Sequence, residues 1–104
     1  MNQLRIDLLQ KFIVEDPTDP FNYYALALEY QHTNPMRAGE LFDKLLDVHP
    51  DYLPTYYLAG IFFANQKMEE KGLGILKKGL LLAKLQKNVN TARELQGALE
   101  NIDE

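Results

Sequence analysis

An internal repeat constrains the fold of this chain more than any other feature of its sequence. When the chain is shifted by about 33 residues, prolines align with prolines, aromatic residues with aromatic residues, and small or leucine positions with one another. The aligned pairs are Pro17 with Pro50, Tyr23 with Tyr56, Tyr24 with Tyr57, Tyr30 with Phe63 and, after a one-residue slip, Ala38 with Gly72, Phe42 with Leu76 and Leu46 with Leu80. A period of this length is typical of helical units that bury their apolar faces by stacking on neighbours.

Apolar residues recur at helical spacing along the chain, and no segment shows the alternation of a strand. Residues 2–16 are expected to form a helix whose buried face carries Leu4, Leu8, Leu9, Phe12 and Ile13. Further helix starts are indicated by N-cap residues and by prolines in a first turn. These signals are Asp19-Pro20, Asn34-Pro35, Pro54 and a capping box over Thr91-Ala92-Arg93-Glu94, which precedes the inner-face residues Leu95, Leu99 and Ile102. A fifth helix is expected to start near Met68.

The predicted fifth helix combines glycines with leucines and lysines. A glycine inside a helix costs about 1 kcal/mol relative to alanine, so Gly72, Gly74 and Gly79 are expected where two helices approach closely. The lysines of this helix are interpreted as a solvated stripe, because its leucines are expected to be buried. These leucines are Leu73, Leu76, Leu80 and Leu81.

Both copies of the repeat resemble the tetratricopeptide repeat, whose pattern is W-x2-L-G-x2-Y, then A-x3-F, then P. The matching residues of the first copy are Tyr23, Leu26-Ala27, Tyr30, Ala38, Phe42 and Pro50. Those of the second copy are Tyr56, Ala59-Gly60, Phe63, Gly72 and Leu76, without a closing proline. The resemblance covers residues 20–83, and the chain is similar to the short stand-alone bacterial proteins of this family.

The resemblance implies an all-α fold, a right-handed superhelical stack of antiparallel helix pairs with about six helices. It implies a single domain over residues 1–104. Its parts would be an N-terminal half-repeat helix over 2–16, repeats over 20–50 and 53–86, and a C-terminal capping helix over 91–102. The polar residues Arg93, Gln96 and Glu100 suit a solvated cap.

The composition argues against an enzyme. The chain contains neither cysteine nor serine, so it has no disulfide, no thiolate metal site and no Ser/His or Cys/His nucleophile. His32 and His49 lack a second ligand at metal-binding spacing. Gly72 and Gly74 fall inside a predicted helix, which disfavours a phosphate-binding loop. No catalytic residue, metal or cofactor is expected.

The net charge of −4 disfavours a nucleic-acid partner. Residues 71–93 carry six cations and no acid, which leaves a membrane or nucleic-acid surface as a minor alternative. With the leucines buried, we expect neither partner. The longest apolar run, over 80–83, is too short to span a bilayer, and Arg5, Asp7 and Lys11 interrupt any signal peptide, so a cytoplasmic protein is expected.

In the family, the first helix of each repeat lines a concave groove that binds peptides or helices. The resemblance implies that Tyr24 and Leu28 stand where carboxylate-clamping residues occur in the best-known peptide-binding members, so a hydrophobic peptide or helix is expected instead. The positions carried over are Phe21, Tyr24, Leu28, Gln31 and His32 from the first repeat and Tyr57, Ile61, Ala64 and Asn65 from the second.

Two functions follow from this groove. The first is an adaptor that binds another protein or a peptide, and the second is a self-associating structural unit that uses the same apolar face to form a homodimer. Burial of the groove residues by the cap or by the twist of the stack is the remaining alternative.

Overall fold

A computed structural model describes residues 2–103, with the backbone alone at Asp103. These residues form six helices and contain no strand, which confirms the all-α prediction. The helices are α1 (Gln3–Glu15), α2 (Pro20–Tyr30), α3 (Pro35–Val48), α4 (Pro54–Asn65), α5 (Glu69–Leu85) and α6 (Val89–Asp103). Helices α1 to α3 belong to one compact unit and α4 to α6 to a second, with the division between Tyr52 and Leu53.

Side-chain caps and prolines start the helices of the first unit, as the sequence predicts. The Asp19 carboxylate accepts a hydrogen bond from the Phe21 N–H, and Pro20 occupies the first helical position of α2. The Asn34 side chain accepts from the Arg37 N–H at the start of α3. Each cap satisfies a backbone donor that has no partner within its helix.

The core of the first unit lies between α2 and α3, and α1 packs on α2. Ala27 and Ala38 are fully buried, which fits small residues at a close helix crossing. The Tyr23 hydroxyl donates to the Pro17 carbonyl oxygen over 2.8 Å. Arg5 of α1 forms an ion pair with Glu29 of α2, with 2.7 Å between nitrogen and oxygen.

The buried face of α1 differs from the predicted one. Ile6 and Leu9 are buried and Ile13 is half-buried. The predicted core residues Leu4, Leu8 and Phe12 are exposed. Apolar residues line two sides of this helix, and packing against α2 selects the side that carries Ile6, which the sequence prediction omitted.

In the second unit, α4 crosses α5 at glycines. A Cβ atom on Gly60 would lie 2.5 Å from Cγ of Leu76, and one on Gly79 would lie 2.5 Å from Cβ of Tyr56. A Cβ atom on Gly72 would lie 2.6 Å from the carbonyl oxygen of Gly60, so this glycine faces the backbone of α4. The packing prediction is wrong for Gly74, where an added Cβ would meet nothing within 4 Å.

The turn from α5 to α6 also differs from its prediction. Lys87 has a φ of 59°, in the left-handed region, and the Asn88 N–H donates to the Ala83 carbonyl oxygen over 2.8 Å. This hydrogen bond is typical of a Schellman motif. The Asn88 side chain then accepts from the Thr91 N–H over 3.0 Å. The N-cap of α6 is therefore Asn88, and the predicted capping box at Thr91 is wrong.

The buried faces of α5 and α6 follow the prediction in part. In α6, Leu95 and Leu99 are buried, as predicted. In α5, Leu76 is fully buried, whereas Leu81 is exposed, so its predicted burial is wrong. None of the described helices is long and apolar enough to cross a membrane.

Candidate functional site

A cleft between α4 and α6 is the candidate site of the second unit. Its volume is about 380 Å³, within the range of small ligand pockets. We call it the α4–α6 cleft. Tyr57, Ile61 and Asn65 line it from α4, and Glu94, Gly97, Ala98, Asn101 and Ile102 line it from α6.

Helical spacing explains why these side chains of α4 are available. Tyr56, Gly60 and Phe63 face α5, where Phe63 lies under the Lys71 ammonium group at 3.9 Å from its ring centre. Tyr57 and Ile61, one position further along, point away from that contact and are half-buried. The residues of α4 that do not pack on α5 therefore supply one wall of the cleft.

On α6, a glycine keeps the cleft open. A Cβ atom on Gly97 would meet nothing within 4 Å, so the space beside this residue is free. The helix is held from its other side by Leu95, whose Cδ2 lies 3.2 Å from the position of a Cβ on Gly79. Leu95 therefore fixes α6 against α5, and the absence of a side chain at Gly97 leaves room at the cleft.

The cleft combines an apolar lining with polar side chains that reach solvent. Tyr57, Ile61 and Ile102 are half-buried, while Asn65, Asn101 and Glu94 are exposed. Asparagine amides both donate and accept hydrogen bonds, and a carboxylate accepts them and attracts a cation. Such a surface can hold an apolar side chain, hydrogen-bond to an adjacent polypeptide backbone and pair with a basic group.

In the first unit, the predicted site residues share one face of α2 and its C-terminal turn. Phe21 and His32 are exposed, whereas Tyr24, Leu28 and Gln31 are half-buried. We call these five residues the α2 face.

A second tyrosine, Tyr52, adjoins the α2 face. Its ring lies edge-on to the ring of Tyr24, with 5.9 Å between ring centres. Burial raises the pKa of Tyr52, and the negative charge of Asp19 raises it further. Tyr52 therefore keeps its phenolic proton to higher pH than an ordinary tyrosine, and its ring packs against Tyr24.

The structure thus brings Tyr57, Ile61 and Asn65 together in one cleft and places the other predicted residues on the α2 face. Ala64, which was also expected in the groove, faces α5, because a Cβ on Gly72 would lie 3.0 Å from its Cβ. The contribution of α6 was missed, since that helix was interpreted only as a cap. Gly97, a glycine inside a helix, is the sequence signal that could have pointed to it.

Across the part of the chain that the structure describes, no group of three or more histidine, aspartate and glutamate side chains is placed to hold a metal ion.

Two solved structures of a tetratricopeptide repeat domain protein from Salinibacter ruber are similar to this chain. A crystal structure has a TM-score of 0.77 and 32% sequence identity, and the match covers 82% of this chain and 96% of that chain. A solution NMR structure has a TM-score of 0.78 and 34% identity, covering 84% of this chain and 89% of that chain. No protein-family model matches the sequence. No curated protein matches it.

Proposed function

The chain belongs to the tetratricopeptide-repeat family of helical interaction modules, and we propose that it binds a peptide or helix of another protein through the α4–α6 cleft. The observation that carries this proposal is the cleft itself. It places Tyr57, Ile61 and Ile102 beside exposed amides and a carboxylate, with no side chain at Gly97 to fill the space.

The lining of the cleft suggests the chemistry of its ligand. An apolar side chain of the partner would lie against Tyr57 and Ile61, where it leaves water. The amides of Asn65 and Asn101 would hydrogen-bond to the partner backbone on either side of that residue. A lysine or arginine of the partner would pair with Glu94. The preferred ligand is therefore a short segment with one large apolar residue and a neighbouring basic residue.

The α2 face is proposed as a second contact surface for the same class of partner. Its residues are Phe21, Tyr24, Leu28, Gln31 and His32. Phe21 is 52% exposed, and an exposed aromatic side chain is enriched at protein interfaces. The same observation favours the second candidate function, in which this apolar surface pairs with another copy of the chain to form a homodimer.

We assign no catalytic step to the cleft. The sequence has no cysteine or serine to act as a nucleophile, and neither His32 nor His49 lines the cleft. The residues that do line it serve recognition, and a binding module without enzymatic activity accounts for all of them.

The test is a selection from a random peptide library displayed on phage, followed by NMR mapping of an enriched peptide on the isotopically labelled protein. The backbone amides of Ile61, Gly97 and Asn101 should shift on binding. Tyr57→Ala should weaken binding by about thirtyfold or more, because truncation of an aromatic hot-spot residue costs about 2 kcal/mol or more. Tyr24→Ala measures how much the α2 face contributes to the binding affinity.

Phe12→Ala is the matched control, since it removes an exposed aromatic side chain from α1. No enriched peptide, or shifts that avoid both the cleft and the α2 face, would argue against the proposal. Sedimentation equilibrium over a range of concentrations tests the second candidate: a dimer that Phe21→Ala dissociates supports self-association, and a strict monomer excludes it.

A further inference from the structure

The outward side of α5 carries apolar side chains among lysines. Leu81 is 64% exposed and Leu85 is 80% exposed, and Val89, at the start of α6, is 66% exposed. Four exposed lysines surround them. We call this set the basic–apolar patch: Lys77, Lys78, Leu81, Lys84, Leu85, Lys87 and Val89.

The register of α5 explains why the patch residues of this helix share one face. The helix buries Gly72, Ile75, Leu76, Gly79 and Ala83. At 100° per residue, Leu81 lies opposite the middle of that buried stripe, with lysines on both sides of it. The lysines are solvated, as the sequence predicted, but Leu81, which was expected to be buried beneath them, points outwards among them.

All charged residues of the basic–apolar patch are positive. Residues 71–93 contain no acid, and the two acids of α5, Glu69 and Glu70, lie in its first turn. Glu70 shares the outward side of the helix, but it precedes Lys77 by seven residues, about 10 Å along the axis. Leu81 and Leu85 are therefore flanked by lysines and by no acid of the same helix turns, although the whole chain is acidic.

We propose that the basic–apolar patch docks on the surface of a lipid bilayer that contains anionic lipids. Exposed leucines suit the acyl-chain layer of such a bilayer, and the lysines around them suit its anionic head-group layer. The side chains of Leu81, Leu85 and Val89 enter the boundary between head groups and acyl chains, while the longer lysine side chains extend their ammonium groups to lipid phosphates and carboxylates.

Other polyanions fit the patch less well. A nucleic acid would pair with the lysines, but it offers nothing to cover exposed aliphatic side chains, and the patch has no aromatic residue on which a base could stack. Val89 lines a shallow cleft of about 320 Å³ together with Lys84 and Lys87, so the apolar side chain at the start of α6 lies beside two lysines of the patch.

The test is co-sedimentation of the full chain with vesicles of phosphatidylcholine, either pure or with about one third phosphatidylserine, at low and high ionic strength. We expect binding to the anionic vesicles at low salt, weaker binding at high salt and none to the neutral vesicles. Leu81→Gln/Leu85→Gln and Lys77→Gln/Lys84→Gln should each weaken binding by about tenfold or more. All four side chains are exposed, so both variants should fold.

Lys11→Gln/Lys67→Gln is the matched control, because it removes two exposed lysines outside the patch. The proposal is overturned if the wild-type chain does not bind anionic vesicles at low salt, or if the control substitutions weaken binding as much as the patch substitutions do. It is also overturned if the leucine variant binds as tightly as wild type. The proposal is also refuted if the chain binds single-stranded RNA or polyglutamate through these lysines but does not bind the vesicles.

Discussion

A Cβ atom on Gly72 would lie 2.6 Å from the carbonyl oxygen of Gly60, because α4 and α5 approach through these two residues. The obstacle is backbone, which cannot move without separating the helices. Gly72→Ala should therefore lower the free energy of unfolding by roughly 1–3 kcal/mol, despite the better helix propensity of alanine. Urea denaturation followed by circular dichroism measures it.

Gly74→Ala is the matched control for that substitution, in the same helix and two residues away. Its Cβ would meet nothing within 4 Å, so alanine adds no clash and removes the cost of a glycine in a helix. We expect the free energy of unfolding to rise by about 0.5–1 kcal/mol. Equal effects at the two positions would contradict the crossing of α4 and α5 described here.

The face of α1 that packs on α2 gives the second prediction. Leu9 is buried and Leu4 is exposed, although their sequence pattern predicts burial of both. Leu9→Ala should cost about 2–4 kcal/mol of stability, whereas Leu4→Ala should change it by less than about 0.5 kcal/mol. Similar losses from the two variants would mean that α1 buries a different face.

A buried hydroxyl in α4 gives the third prediction. The Thr55 side chain is fully buried, and none of the described residues hydrogen-bonds to its Oγ1. Thr55→Val keeps the β-branched shape and removes an unsatisfied polar atom, so stability should rise by about 1 kcal/mol. The exposed Thr33→Val serves as the control, with an expected change below about 0.5 kcal/mol. A loss at Thr55 would indicate that its hydroxyl is hydrogen-bonded.

The pair of Asp19 and Tyr52 gives the fourth prediction. Asp19→Asn keeps a side-chain oxygen to cap α2 and removes the negative charge that helps to raise the pKa of Tyr52. The pKa of Tyr52 should fall but stay above its ordinary value, because burial is the larger cause. NMR titration of the tyrosine ring carbon that bears the hydroxyl measures it. An unchanged pKa would show that the charge of Asp19 has no effect on the ionisation of Tyr52.

The sign of the accompanying stability change follows from the raised pKa. The folded chain holds the phenolic proton of Tyr52 more tightly than the unfolded chain does. The stability that this proton supports is complete below the unfolded pKa of about 10 and is lost as the pH rises through the folded pKa. The Asp19→Asn variant should therefore lose less stability than wild type in alkaline solution.

Local signals in the sequence predicted much of the fold. Asp19-Pro20 and Asn34-Pro35 start helices as expected, because caps and prolines act through neighbouring backbone atoms. Gly72, which aligns with Ala38 of the first repeat, lies at a close approach of two helices, and so does Gly79, as the cost of a glycine inside a helix predicts. These features depend on residues close in sequence or on positions that recur in both repeats.

The parts that the sequence did not predict depend on tertiary contacts or on an uncommon residue. The choice between two apolar faces of α1 is made by packing on α2. The end of α5 uses a left-handed lysine, Lys87, where glycine is the usual signal, so the start of α6 was placed too late. The α6 wall of the cleft was missed because Glu94 and Asn101 have the composition of a solvated surface.

The most direct test of the proposed function fills the α4–α6 cleft and measures the affinity for a peptide selected on the wild-type chain. Gly97→Leu places a side chain in that space, where a Cβ atom would meet nothing within 4 Å, and Gly74→Leu makes the same change on α5 outside the cleft. By calorimetry, we predict at least about tenfold weaker binding for Gly97→Leu and unchanged binding for Gly74→Leu. Full affinity in a correctly folded Gly97→Leu variant would contradict the assignment of the cleft as the partner-binding site.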